Sequence, residues 1–256
     1  MNNFCVFGDS YAYRNDDNPN TWVAFTAKQF SHEPRIVAVP GCGQDWIFGQ
    51  LYHYRHVITP KDKVVVILTE PGRRWLFKDK PEHSNIYVAN YKDVLTSDES
   101  RVLESYVKYV QNDNLDNLAM INRLGWLDSL ANRCWWHKPL IIKAFDLDIN
   151  ENEYPHLCFA QGTLSSISKN EVCGDFQSVI QGKDFRYNHL CLTNHKVLAS
   201  KLVDYFATGL APDLTTEFNS NIITKDFYKD SNFIQKELHP EAFKRWADAA
   251  LLQLSI

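Results

Sequence analysis

The chain has 256 residues, a formal net charge of -4, and 45% hydrophobic and 23% charged residues. This composition excludes an intrinsically disordered chain, and the nearly balanced charge gives no electrostatic reason to expect a nucleic acid as partner. No apolar run approaches the roughly 20 residues that cross a bilayer, so we expect no membrane partner. Because the chain opens on a short polar segment without a signal-like apolar region, we expect a cytoplasmic protein.

Four apolar runs, taken in chain order, predict the strands of a parallel sheet. They are Phe4–Phe7, Arg35–Val39, Lys63–Thr69 and Leu140–Phe145. Segments with helical spacing of apolar residues lie between them, at Thr21–Phe30, Trp46–His56 and Asp98–Trp136. We expect the longest of these to break near Asn112–Asn114 or at Gly125. This alternation predicts an α/β fold, a three-layer α/β/α sandwich around a central parallel sheet.

The second half of the chain is less regular. Asp146–Asn188 has no clear period and is either a site-forming loop or poorly ordered. Thr193–Phe206 has amphipathic spacing and predicts the last core helix, and Pro240–Leu254 predicts a terminal helix. We therefore expect one α/β domain at residues 1–209 and a helical extension at residues 210–256 packed on it.

Six cysteines are scattered without Cys-x-x-Cys spacing, which predicts reduced thiols rather than a zinc site or a redox pair. His53 and His56 have the spacing to share one helix face, but without cysteines or carboxylates nearby they are more typical of an exposed pair than of a metal site. The glycine motifs that bind phosphates and dinucleotides are absent. We expect neither a metal ion nor a cofactor.

The tripeptide Gly8-Asp9-Ser10 follows directly on the first predicted strand. This position puts Ser10 at the carboxyl edge of the sheet, where open α/β sheets bind ligands, and the glycine allows a tight turn there. A serine attacks a substrate only when a base takes its proton. Ser10 is therefore a candidate nucleophile if a histidine reaches the same edge, and a solvated turn residue if none does.

Two of the nine histidines lie where a loop leads into a predicted helix. His189 precedes the helix Thr193–Phe206 and is the preferred base, whereas His239, just before the terminal helix, is the alternative. His195 lies within the helix, and we expect it to be structural or to support the base.

Three motifs together resemble the SGNH hydrolases, also called the GDSL lipase and esterase family. They are Gly8-Asp9-Ser10, the glycine-containing turn Val39–Asp45 after the second strand, and His189 before the last core helix. The resemblance covers roughly residues 3 to 208. It implies that Ser10 is the nucleophile and His189 the base. It also implies that the backbone amides of Ser10 and Gly43 hold the oxyanion, with Gly41 as the alternative to Gly43.

The block after the third strand departs from the family pattern. The family has an oxyanion asparagine here, but Thr69–Trp75 contains none and carries Glu70, Arg73 and Arg74 instead. Either arginine is suited to stabilise developing negative charge or to bind an anionic substrate group, and both are also suited to pair with carboxylates. The residues expected to contribute to substrate binding are Asp9, Glu70, Arg73 and Arg74.

The acid of the implied catalytic triad is also missing from its usual position in the sequence. Arg186 stands three residues before His189, where the family has an aspartate. Asp184 is the candidate for orienting the His189 imidazole, and Arg186 is its alternative partner.

The resemblance implies an ester hydrolase that acts on carbohydrate O-acetyl groups or small acyl esters. The divergent blocks, the Trp- and Tyr-rich composition and the lack of a signal segment are also similar to SGNH-type proteins encoded by tailed bacteriophages, which implies a viral origin. Two other interpretations stay open. One is a protein that kept the fold and lost the activity, serving as a binding or structural module of a virion; the other is a flavodoxin-like small-molecule binder with Ser10 as a phosphate-loop donor.

Overall fold

The computed structural model describes residues 3–13, 21–32, 34–81, 95–135, 137–168, 190 and 192–218. Its strands are β1 (Phe4–Gly8), β2 (Pro34–Ala38), β3 (Lys63–Leu68), β4 (Leu140–Lys143) and β5 (Cys158–Thr163). Its helices are α1 (Trp22–Phe30), α2 (Gln44–Tyr54), α3 (Ser97–Tyr109), α4 (Asp113–Cys134), α5 (Leu164–Ser168) and α6 (Leu192–Thr208). A short 3-10 helix at Glu151–Glu153 precedes β5.

The described strands form one sheet in the order β2-β1-β3-β4-β5, and every strand pair in it is parallel. β1 lies between β2 and β3, so that Val6 pairs with Ile36 on one side and with Val65 on the other. Parallel sheets are covered on both faces, which explains why β1 and β3 are almost continuous apolar runs.

Helices cover both faces of this sheet. Because successive strand residues point to opposite faces, Phe4 and Val6 pack on one side and Cys5 and Phe7 on the other. The first face is covered by α1, α5 and α6, which contribute Trp22, Val23, Leu164, Ile167, Leu198 and Leu202. The second face is covered by α2 and α4, which contribute Ile47, Leu51, Met120, Leu124 and Leu127. These layers confirm the predicted three-layer α/β/α sandwich.

The sequence analysis does not predict β5, which lies within the stretch that lacks a clear period. β5 is the last strand of the sheet; Gln161 in it is exposed, and Gly162 adopts a φ of 83°, in the left-handed region. Its pairing with β4 also changes register between Ile141 and Lys143. The apolar pattern of a buried parallel strand is therefore interrupted. Residues 169–189 lie outside the described part of the chain.

The long helical segment breaks before Asp113, close to the first of the two predicted positions. The Asn112 side chain accepts hydrogen bonds from the N–H groups of Asn114 and Leu115 and so caps the start of α4. Gly125 lies inside α4 and does not interrupt it. A side-chain cap satisfies N–H groups that a helix start leaves unpaired, whereas a single glycine only weakens a helix, which explains the position of the break.

The predicted terminal helix at Pro240–Leu254 lies outside the described residues. The division into a domain at 1–209 and an extension at 210–256 stays a prediction. Within the described ranges, no helix combines the length and the apolar character that a membrane span requires.

A hydrogen-bonded aspartate joins the amino ends of β1 and β3. The buried Asp62 carboxylate accepts hydrogen bonds from the Asn3 backbone N–H at 2.6 Å, the Asn3 side-chain amide at 3.2 Å and the Thr59 backbone N–H at 2.7 Å. Burial by itself raises the pKa of Asp62, but these donors outweigh burial and lower the pKa below its ordinary value.

We expect Asp62→Asn to lower the free energy of unfolding at pH 7 by about 1–3 kcal/mol, because hydrogen bonds to an ionised carboxylate are lost. A lowered folded-state pKa means that this stabilisation is present above the unfolded-state pKa of about 4 and disappears as the pH falls through the folded-state value. Urea unfolding of both proteins at pH 7 and pH 3 measures the difference. A difference that stays constant between the two pH values contradicts this account, and Asp98→Asn on the exposed face of α3 is the control.

The carboxyl end of β1 is closely packed around Gly8. A Cβ atom added there would lie 3.0 Å from Ile67 Cβ and 3.1 Å from Ala12 Cβ. Neither neighbour is the flexible end of a side chain, so the backbone has to shift to admit even a methyl group.

We therefore expect Gly8→Ala to destabilise the protein by about 1–3 kcal/mol. The matched control is Gly125→Ala, because a Cβ at Gly125 meets no atom within 4 Å and the residue lies inside a helix. This second change should stabilise the protein by about 0.5–1 kcal/mol. Thermal unfolding of the two variants tests the pair, and an equal effect of both substitutions argues against close packing at Gly8.

Candidate active site

β2 lies on one side of β1, whereas β3 and the later strands lie on the other, so the strand order reverses between β1 and β3. The connection from β1 to β2 runs through α1 on one face of the sheet, and the connection from β2 to β3 runs through α2 on the other. In open α/β sheets of this strand order, ligands bind outside the carboxyl ends of the strands at such a reversal. Ser10 follows β1 and Thr69 follows β3, so the structure places Ser10 at this point.

Ser10 lies on a turn that is held by the residue before it. The Asp9 carbonyl oxygen accepts hydrogen bonds from the N–H groups of Ala12 at 3.1 Å and Tyr13 at 3.0 Å. The Asp9 carboxylate accepts a further bond from the N–H of Tyr11 at 3.1 Å. Asp9 is fully buried and Ser10 is partly exposed, so the turn presents the serine side chain toward solvent on a fixed backbone.

The loop after β2 packs against the same strand end. Gly41 has a φ of 77°, in the left-handed region that favours glycine, and Gly43 is the residue that precedes the first turn of α2. Between them, the buried Cys42 thiol donates a hydrogen bond of 3.4 Å to the Gly8 carbonyl oxygen. Burial raises the pKa of Cys42, so the group stays a thiol and acts as a donor rather than as a nucleophile.

Ser10 and Gly43 are the predicted oxyanion donors, and among the described residues their backbone N–H groups donate no hydrogen bond. Gly43 is buried at the start of α2, where the helix dipole favours negative charge. Both amides therefore lack a described acceptor, and their assignment as oxyanion donors stays a prediction.

Arg73 connects the loop after β3 to the Ser10 turn. Its Nη1 lies 3.5 Å from Asp9 Oδ2, and its Nε donates to Glu70 Oε2 at 2.7 Å. The guanidinium carbon lies 5.0 Å from the centre of the Phe145 ring, which follows β4. Arg73 thus contacts the loops that follow three neighbouring strands, and it compensates the charge of the fully buried Asp9.

Arg74 belongs to a second cluster of charges, on the α2 and α4 side of the sheet. Arg74 Nε lies 3.0 Å from Asp45 Oδ2 and its Nη1 lies 3.2 Å from Asp116 Oδ1. Arg123 Nη2 lies 2.8 Å from Asp45 Oδ1. Burial raises the pKa of Asp116, and the Arg74 guanidinium opposes that rise. Both arginines after β3 therefore pair with carboxylates; the assignment of Asp9, Glu70, Arg73 and Arg74 to substrate binding stays a prediction.

The predicted base and acid lie outside the described residues. This applies to His189 and Asp184, and to the alternative base His239. His195 is described, and its Nδ1 accepts a hydrogen bond of 3.1 Å from the N–H of Trp22, the first residue of α1. His195 thus joins α6 to the start of α1, and whether it also supports the base stays a prediction.

The sequence analysis overlooks two buried polar residues beside the site. The Gln44 side-chain amide donates a hydrogen bond to the Thr69 carbonyl oxygen, and both residues are fully buried. Among the described residues, Gln44 Oε1 and Thr69 Oγ1 have no hydrogen-bond partner. The sequence feature that points to Gln44 is its position directly after Gly43. There it is the first residue of a helix whose other early residues are largely apolar.

The described ranges contain no group of three or more His, Cys, Asp and Glu side chains arranged to hold a metal ion. His53 and His56 are both exposed, at the end of α2 and just beyond it.

Comparisons with known proteins give little information on this chain. No family model and no curated protein matches it. Among solved structures it is similar to the protein YxiM from Bacillus subtilis, with 11% sequence identity and a TM-score of 0.30. The match covers 95% of this chain and 48% of YxiM, so the chain spans about half the length of that protein. A likeness at this level supports no inference about function.

The two carboxylates that face Arg73 differ in burial, which allows a matched test of the ion pairs. Asp9 is fully buried, whereas the Glu70 side chain is 40% exposed. We expect Asp9→Asn to lower the free energy of unfolding by about 3–5 kcal/mol, because it removes the buried carboxylate of the ion pair with Arg73. Glu70→Gln should cost about 1 kcal/mol or less. Urea unfolding measures both, and equal losses contradict this assignment.

Proposed function

We propose that the protein is a serine hydrolase that cleaves an ester bond with Ser10 as the nucleophile. The observation that carries the proposal is the position of Ser10, on a fixed turn at the strand-order reversal and next to a loop that offers a second unused N–H at Gly43. The resemblance of Gly8-Asp9-Ser10 to the SGNH hydrolases supports the same chemistry. The substrate class that this resemblance favours is a carbohydrate O-acetyl group or a small acyl ester.

In the proposed reaction, Ser10 Oγ attacks the ester carbonyl carbon while His189 accepts the hydroxyl proton. The negative charge that develops on the carbonyl oxygen is held by the N–H groups of Ser10 and Gly43. Collapse of the tetrahedral intermediate breaks the bond to the alcohol, which leaves with the proton from His189. Water then attacks the acyl-Ser10 ester with His189 again as base. The second tetrahedral intermediate breaks the bond to Ser10 Oγ, which takes the proton back from His189 as the carboxylic acid is released; Asp184 orients the imidazole throughout.

A second candidate function is a binding module that kept the fold without the activity. The observation in its favour is Arg73, which stands in the loop where the SGNH family has an oxyanion asparagine and which pairs with Asp9 and Glu70. Loss of one oxyanion donor typically lowers an enzymatic rate by about 100-fold or more. The two candidates differ in whether Ser10 is activated.

We expect a fluorophosphonate serine-hydrolase probe to label the purified wild-type protein and to leave Ser10→Ala unlabelled. The probe phosphorus takes the position of the ester carbonyl, and fluoride leaves when Ser10 Oγ attacks. His189→Ala should lower the labelling rate by about 100-fold or more, because removal of a general base usually costs that much. His239→Ala should label like the wild type.

The matched control is His53→Ala, because His53 is exposed at the end of α2. If His239→Ala loses labelling and His189→Ala keeps it, the base is His239 and our assignment is wrong. A folded wild-type protein that does not react with the probe favours the binding module instead.

A further inference from the structure

The loop after β3 contacts both of the backbone segments that carry the proposed oxyanion donors. Its Thr69 carbonyl oxygen accepts a hydrogen bond from Gln44, which directly follows the turn after β2. Its Arg73 forms an ion pair with Asp9 in the turn after β1. In the sheet, β1 lies between β2 and β3. The bond between Gln44 and Thr69 therefore joins the two segments that flank the carboxyl end of β1, the strand that Ser10 follows.

Gln44 connects the Gly43 amide to the end of β3. Gln44 is the residue directly after Gly43, and its side-chain amide donates to the backbone carbonyl oxygen of Thr69. A displacement of the turn after β2 relative to β3 would break this bond. The Gly43 N–H is thus held in place by a hydrogen bond between two residues that lie 25 positions apart in the sequence.

Stability alone does not account for a glutamine at this position. Gln44 and Thr69 are fully buried, yet Gln44 Oε1 and Thr69 Oγ1 have no hydrogen-bond partner in the described part of the chain. A buried polar atom without a partner is costly, and an apolar side chain of the same length would avoid that cost. Departures from local packing rules of this kind are expected at functional sites.

Arg73 connects the Ser10 turn to the same loop. One oxygen of the Asp9 carboxylate binds the N–H of Tyr11 within the turn, and the other faces Arg73 Nη1 at 3.5 Å. Arg73 is in turn fixed by Glu70 and by the ring of Phe145. The orientation of the Ser10 amide, which lies between Asp9 and Tyr11, is therefore coupled to the loop after β3.

We infer that Gln44 and Arg73 are positioning residues that hold the Ser10 and Gly43 amides in one fixed relative position, an inference that rests on the proposed hydrolase function. The loop after β3 contains no asparagine donor. It acts instead as the common support of the two donors that remain. Neither residue touches the reacting atoms in this scheme.

The test separates the rate of the chemical step from binding and from stability. The fluorophosphonate probe is used at several concentrations, so that the limiting labelling rate (kinact) and the half-saturating concentration (KI) are both obtained. The variants are Gln44→Met, Arg73→Met and Arg73→Lys, with Arg101→Gln as the control because Arg101 is an exposed arginine on α3 that also pairs with an aspartate. Urea unfolding midpoints are measured for each.

We expect Gln44→Met and Arg73→Met to lower kinact by about 10- to 100-fold, the range typical of misplaced catalytic groups, with little change in KI. Gln44→Met should change the unfolding midpoint little, since the cost of leaving the Thr69 carbonyl oxygen without its donor is offset by removal of the unpaired Gln44 Oε1. Arg73→Lys should recover part of the loss, because it keeps a positive charge opposite Asp9. Arg101→Gln should behave like the wild type.

Wild-type labelling rates in Gln44→Met and Arg73→Lys overturn the inference and leave the proposed function intact. A change confined to KI, or a fall in kinact of Gln44→Met that follows a fall in its unfolding midpoint, also overturns it. Should Arg73→Met not fold, Gln44→Met and Arg73→Lys still decide the question. A wild-type protein that fails to label overturns the proposed function, and the inference with it.

Discussion

The buried carboxylate of Asp9 is the constraint on which the candidate site depends. A buried ionised group needs compensating charge and hydrogen bonds, and among the described residues Arg73 and the N–H of Tyr11 contribute to both. The first partner belongs to the loop after β3 and the second to the Ser10 turn. The requirement to satisfy one carboxylate therefore links two strand ends, and the loop and the turn cannot shift independently of each other.

The sheet was predictable to the extent that its strands are buried on both faces. β1 and β3 are continuous apolar runs because helices cover both sides, and these runs are visible in the sequence. β5 gives no such signal, since Gln161 is exposed and Gly162 departs from strand geometry. The sequence alone also left two positions for the break between α3 and α4, which the Asn112 cap decides.

Only those residues of the candidate site that directly follow the strands could be predicted from the sequence. Parallel strands bring their carboxyl ends to one edge, so Ser10 and Gly43 follow from the order of elements. The pairing of Arg73 with Asp9 could not be predicted, because the two residues lie 64 positions apart in the sequence. Nothing in the local sequence favours Asp9 over Glu70 as a partner of Arg73. The bond of Gln44 could not be predicted because its partner is a backbone carbonyl group, which no residue type identifies; only the position of Gln44 directly after Gly43 pointed to the site. His189 and Asp184 stay predictions.

The bond between His195 and Trp22 joins residues 173 positions apart, and this separation bears on how the protein is made. α6 covers the sheet face that carries Phe4 and Val6, and it is among the last described elements to leave the ribosome. β1, α1, β2 and β3 emerge much earlier, so the part of this face that α6 covers stays exposed during much of translation. Incomplete chains with such a surface are prone to aggregate, and a chaperone that shields apolar strands would act in this interval.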